Sequence, residues 1–191
     1  MKSATITTIP DWNPHGVLPP IAPGMAVNST NRSPYRVGIT EIIERFSYSP
    51  ERIAILEGFL RFRAELHQQG LVFGFQWLDG SFLENIEDLE GRYPNDLDVV
   101  TFFAKLTPEK QRSLVDNFNT GYLKTECKID NYFAQADHAD YVENSRLTAY
   151  WCSMWSHRRD GSWKGFLQVD LDKINDGEAT NILNNKKGGV Q

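Results

Sequence analysis

WLDGSFLENIEDLEGRYPNDLDVVTFF, residues 77–103, runs from the end of one alternating apolar segment, through a glycine-serine pair, into a β-branched and aromatic segment. Asp96 and Asp98 lie two apart in the strand predicted over Asp96–Phe103, so both carboxylates point to the same side. Like charges held that close repel, and apolar neighbours keep out the water that would screen them, so the pair costs stability unless a cation sits between them. A hard divalent ion such as Mg²⁺ suits two carboxylates, because it takes oxygen ligands and keeps waters and substrate phosphates in its shell. Gly80 and Ser81 fall where the strand predicted over Leu71–Leu78 gives way to a short helix at Phe82–Glu87. A glycine there lets a phosphate approach the backbone, and free amides at a helix start face it. A cation-binding strand beside an anion-binding turn describes a pocket for a nucleoside triphosphate with its metal.

The flanking sequence supplies the rest of a sheet and its helices. Ile39, Ile42, Ile43 and Phe46 recur at spacings of three and four and predict a helix over Ile39–Phe46. A longer helix runs from Pro50 to about Gln69, with Ser49 as its cap, Pro50 at its first position and Gly70 beyond its end. Ile55, Phe59, Phe62 and Leu66, beside Leu56 and Leu60, form its packing face. Further on, the pattern predicts a helix from Pro108 to about Asn119, a strand over Cys127–Gln135, a helix over about His138–His157 and a strand over about Lys164–Leu171. In the last helix Leu147, Tyr150, Trp151, Met154 and Trp155 make a stripe expected to be buried. Pro10, Pro14, Pro19, Pro20, Pro23 and Pro34 forbid a long regular element in residues 1–38, which read as an extended arm with Trp12, Leu18 and Ile21 as docking points. Residues 39–175 form the folded domain and 176–191 a polar, flexible tail. The fold class is α/β or α+β, a small mixed β-sheet flanked by helices.

Composition narrows the function. The chain of 191 residues is 40% hydrophobic and 24% charged, within the range of globular proteins. A net charge of −5 argues against gripping nucleic acid by bulk charge. Seven carboxylates between Asp79 and Asp98 face a single base, Arg92, a concentration that taken alone describes a solvated acidic loop. Two cysteines, Cys127 and Cys152, fit a reducing compartment, and neither a transmembrane-length apolar run nor a signal-peptide core is present, so the cytoplasm is expected. The four histidines have no metal-ligand spacing. Asp170–Glu178 fails as a calcium loop, since Ile174 stands where an oxygen ligand is required. Arg158, Arg159 and Lys164, with His157 and Trp163, read as a basic helix end, with phosphate or base contact as the alternative.

Asp130, in the strand KIDNYF between Ile129 and Tyr132, is a carboxylate in mid-strand that needs a partner. It is the best candidate for the third acid that a two-metal phosphoryl-transfer site requires to bridge ions or serve as base.

The order of apolar strand, Gly80-Ser81, spacer and Asp96-Leu97-Asp98-Val99 resembles the signature of the nucleotidyltransferase superfamily that includes DNA polymerase beta and the minimal nucleotidyltransferases. HGVLPPIAPG, an ERF segment, PERIAILEGF, WLDGSF and PNDLDVV extend the likeness over most of residues 11–170, to a poorly characterised bacterial family of small nucleotidyltransferase-like proteins. The resemblance implies the nucleotidyltransferase fold, Gly80 and Ser81 on the triphosphate of ATP or another nucleotide, and Asp96, Asp98 and Asp130 as catalytic metal ligands. Mg²⁺ would fill a two-metal site, with Mn²⁺ able to substitute. Fourteen residues separate Ser81 from Asp96, more than the usual spacing, and DLEGRY absorbs the excess. The implied activity moves a nucleoside monophosphate from a triphosphate to a hydroxyl on an RNA end, a protein or a small molecule. Small bacterial members often serve toxin-antitoxin or phage-defence systems, where a protein partner is expected. The alternative is a binding or regulatory module that keeps the fold without turnover.

Overall fold

The computed structural model describes residues 7–118 and 120–189. The first six residues of the expected arm, the expected helix end at Asn119 and the last two residues of the expected tail lie outside them. Five strands form one mixed sheet in the order β1-β5-β2-β3-β4. They are β1 (Tyr35–Arg36), β2 (Gly74–Asp79), β3 (Leu97–Phe103), β4 (Ile129–Gln135) and β5 (Leu167–Asp170). β1 runs parallel to β5 and β3 parallel to β4, while β2 is antiparallel to both β5 and β3.

The helices are α1 (Ile39–Phe46), α2 (Pro50–Gln68), α3 (Ile86–Glu90), α4 (Pro108–Asn117), a short α5 (Thr120–Tyr122) that widens into a π turn over Leu123–Cys127, α6 (Tyr141–Trp155) and α7 (Asp176–Gly189). Ser49 accepts a hydrogen bond from the Arg52 amide and Thr107 from the Lys110 amide, so both helices with a proline at their start carry side-chain caps, the first of them the one read above from the sequence.

Strand alternation divides the sheet into two faces. Gln76, Thr101 and Asn131 sit on the face under α2, where they form a polar chain: Arg63 Nη1 donates to Gln76 Oε1 at 2.7 Å, Gln76 to Thr101 at 3.1 Å, and Thr101 to Asn131 at 2.7 Å. The other face carries Trp77, Val100 and Tyr132 in one row and meets α6 through Trp151 and Trp155. Trp151 and Trp155 are buried, but Tyr150 and Met154 are exposed, so the apolar stripe of α6 is narrower than its spacing predicts.

Two expectations fail. The segment expected as a flexible tail is helix α7 through Gly189, packed on α1 and α2 with Ala179 and Leu183 buried. Two residues at a spacing of four gave too faint an apolar pattern against the surrounding Asn and Gly. The short helix expected at Phe82–Glu87 is replaced by a 3₁₀ turn at Ser81–Leu83 followed by α3. The arm docks as predicted at Trp12 and Leu18: Trp12 Nε1 donates to the Leu83 carbonyl at 2.7 Å and Leu18 is buried, while Ile21 is only half-buried.

Arg52 ties α2 to the acidic turn. It is fully buried, with its Nε and Nη2 on the Glu87 carboxylate at 2.6 and 2.9 Å, Nη1 on the Phe82 carbonyl at 2.6 Å and Nη2 on the Glu84 carbonyl at 2.8 Å. Its guanidinium also lies over the rings of Tyr48 and Phe82. Arg52→Met leaves Glu87 and two carbonyls without their donors and is expected to lower unfolding stability by about 3–5 kcal/mol in a urea titration. Arg52→Lys is expected to recover less than half of that loss, since a single ammonium cannot reproduce the fork.

Candidate catalytic site

Register and alternation assemble the site. Asp79 pairs with Asp98 across the antiparallel β2/β3 ladder, and Asp98 pairs with Asp130 across the parallel β3/β4 ladder. Directly opposed residues project to one face, so the three carboxylates form a row over three strands. Asp96 stands immediately before β3, two residues from Asp98. The predicted acids Asp96, Asp98 and Asp130 are therefore brought together, and Asp79 joins them. Sequence reasoning missed Asp79, although it shares the alternation of Phe75 and Trp77 and directly precedes Gly80. Its position opposite Asp98 depends on a strand register that spacing along the chain does not reveal.

The charge of this row is partly compensated from within. Lys164 Nζ lies 2.9 Å from Asp79 Oδ1 and 3.2 Å from Glu84 Oε1, and all three side chains are buried. Arg158 continues the network with contacts of 3.2 Å to Glu84 and 3.0 Å to Glu90. Two cations of the basic helix end are thus turned onto acids of this chain and hold the acidic turn against the sheet. Burial pushes the Asp79 carboxyl up, against the pull of Lys164. Burial works to lower Lys164 as well, but Asp79 and Glu84 outweigh it and hold the ammonium charged. At the other end of the row Lys124 Nζ sits 2.7 Å from Asp130 Oδ2. Among the described residues no basic side chain pairs with Asp96 or Asp98.

Gly80 makes room for this arrangement. Its φ is +86°, and a Cβ at this position would overlap Asp98 Oδ2. The close approach expected for a phosphate at Gly80 is thus already taken by the Asp98 carboxylate, and the left-handed backbone adds a second reason for glycine. Ser81 opens a single 3₁₀ turn, in which the Leu83 and Glu84 amides bond back to Gly80 and Ser81. Three residues carry little macrodipole, so the anion seat expected at a helix start narrows to the Ser81 residue itself.

The donor set fits Mg²⁺ in kind, being all carboxylate oxygen with two acids unpaired. Among the described residues no group of three or more His, Cys, Asp or Glu side chains forms a ready-made metal cage. Mg²⁺ is ordinarily held by one or two carboxylates with waters and substrate phosphates, so Asp96 and Asp98, with Asp130 alongside, offer what such an ion needs from protein.

The Asp98 carboxyl is pushed up to about 6, first by burial and then by Asp96 and Asp130, with Lys164 and Lys124 acting the other way. Its proton leaves the unfolded chain at about pH 3.9, so the folded state loses up to about 1.4 kcal/mol per pH unit between there and pH 6, and the loss persists above. Asp98→Asn is therefore expected to raise the stability of the metal-free protein by roughly 2–3 kcal/mol at pH 8, falling below about 1 kcal/mol at pH 4.5, by urea unfolding in EDTA. Destabilisation at pH 8 would instead make Asp98 a structural residue.

No helix among the described residues is long and apolar enough to cross a membrane. Comparison with curated proteins and with solved structures gives no match. A family model does match residues 10–170, a span that holds most of the arm, the acidic turn and all five described strands, and on that match the chain belongs to the family of unknown function DUF6932.

Proposed function

We propose that the protein is a Mg²⁺-dependent nucleotidyltransferase of the nucleotidyltransferase fold, which transfers a nucleoside monophosphate from a triphosphate to a hydroxyl and releases pyrophosphate. One observation carries the reading: Asp96 and Asp98 adjoin Asp130 from the next parallel strand, beside the Gly80-Ser81 turn that ends β2. Three acids on neighbouring strands around a glycine-serine bend are what the resemblance implied, and the register supports it independently of that resemblance.

Asp96 and Asp98 would hold Mg²⁺, with Asp130 as the third oxygen donor, and the ion would supply charge neutralisation of the phosphates. Asp98 gains from a cation, being held up by burial and two like charges and having no basic partner among the described residues. Ser81 orients the phosphates. The acceptor hydroxyl approaches the α-phosphorus and gives its proton to the Asp130 carboxylate, whose Oδ2 is held by Lys124. An oxygen-phosphorus bond to the acceptor forms, the bond from the α-phosphorus to the bridging oxygen breaks, and pyrophosphate departs. Lys164 acts from behind, fixing Asp79 and the acidic turn rather than touching substrate. The acceptor is an RNA end, a protein or a small molecule, and the net charge of −5 favours the smaller acceptors over long nucleic acid.

A second reading has its own support. Lys124 and Lys164 neutralise two of the four carboxylates without any metal, as expected of a module that keeps the fold and has no turnover. Incubation with each α-labelled triphosphate, with and without Mg²⁺, separates the two. Metal-dependent pyrophosphate release is expected, falling about 100-fold or more in Asp96→Asn, Asp98→Asn and Asp130→Asn. Metal-dependent binding with no release would leave the binding module standing.

A further inference from the structure

The face that carries the acids also carries exposed aromatic rings. Tyr132 follows Asp130 by two residues on β4 and shares its side of the sheet. At about 3.3 Å of rise per residue the two lie about 7 Å apart along the strand, the reach of a ribose between a phosphate and its base. Helix α6 brings Tyr150 and Trp151 over the same place. The ring centroids of Tyr132 and Trp151 are 5.2 Å apart, and those of Tyr150 and Trp151 5.1 Å. Trp151 is buried and backed by Trp155 at 5.5 Å, which in turn meets Phe166 at 6.1 Å. Tyr132 and Tyr150 remain 47% and 58% exposed.

A single exposed tyrosine needs no explanation. Two on a rigid aromatic foundation, at the edge of a carboxylate row, are a different arrangement. Exposed rings of this kind offer faces to a planar ligand, and the neighbouring acids would receive a metal-bound phosphate.

We infer that Tyr132 and Tyr150, seated on Trp151, form the stacking surface for the base of the nucleoside triphosphate. The inference rests on the nucleotidyl-transfer reading of the adjoining acids. Stacking uses the π-face common to all bases, so the surface accepts all four with little discrimination.

The test compares two ligands by calorimetry on the full chain with Mg²⁺: a nonhydrolysable α,β-methylene ATP analogue, and inorganic tripolyphosphate, which has phosphates but no base. Tyr150→Ala, on the exposed face of α6, and Tyr132→Ala are each expected to weaken the analogue about 10-fold or more. Tripolyphosphate affinity should be unchanged, Tyr150→Phe should bind as wild type, and the analogues of the other three bases should fall within about 10-fold of ATP. Asp98→Ala should weaken both ligands. Wild-type affinity for the ATP analogue in both alanine variants, with Asp98→Ala still defective, overturns the stacking surface and leaves the catalytic reading intact. Equal loss of both ligands in the tyrosine variants overturns it too, as a structural effect, and so does a defect confined to transfer onto an RNA acceptor. If wild type binds neither ligand, the stacking surface and the catalytic reading fall together.

Discussion

Carboxylates on neighbouring strands repel, and much of this chain is arranged around holding four of them at one end of a sheet. The register of β2, β3 and β4 puts Asp79, Asp98 and Asp130 in a row that Asp96 extends. Lys164 and Arg158 meet the charge at one end, Lys124 meets it at the other, and Asp96 and Asp98 remain between them without a cation of their own. Arg52 supports this from a distance. By gripping the Phe82 and Glu84 carbonyls and the Glu87 carboxylate, it fixes the course of the turn that presents Glu84 to Lys164. Apolar burial alone would leave that turn free to swing outward under its own repulsion.

The uncompensated middle of the row is where the chemistry is argued to reside. A half-buried acid whose carboxyl is pushed up to about 6 is a poor structural element, because its ionised form strains the fold. Such a group is common where a charged ligand completes the environment. The compensated ends differ: Lys164 and Asp79 are both buried, so losing either partner is costly, whereas Lys124 reaches Asp130 from a solvent-exposed position. The buried flank at Asp79 beside an unsatisfied centre allows the centre to respond to a ligand without β2 moving.

The sequence made the elements legible and the connections between them much less so. Helix α1 occupies Ile39–Phe46, the span its apolar spacing predicts, and β3 begins one residue after the expected Asp96. Both have strong local signals, a 3.6 period in one and β-branched alternation in the other. Asp96, Asp98 and Asp130 stand out in the sequence because carboxylates in strands are locally anomalous. Asp79 does not, for its significance lies in a cross-strand neighbour. Arg52 and Arg63 were hidden for a related reason: arginines on a helix read as solvent-facing, and only tertiary structure reveals that Glu87 and Asp176 come to meet them. Gly80 stands out in the sequence as a point of close approach to the backbone, but the atom that claims its space is Asp98 Oδ2 rather than a phosphate oxygen.

The position of β5 has a consequence for synthesis. This strand, residues 167–170, lies between β1 and β2, and among the described residues β1 has no other strand partner in the sheet. During translation the early strand therefore waits for a sheet partner made only after β2, β3 and β4. Lys164, which secures Asp79, emerges just ahead of it, and Asp176, which meets Arg63, just after. A ribosome that stalls before these residues appear holds a polypeptide with an open sheet and an unneutralised acidic end, a form that chaperones and proteases would recognise as unfinished.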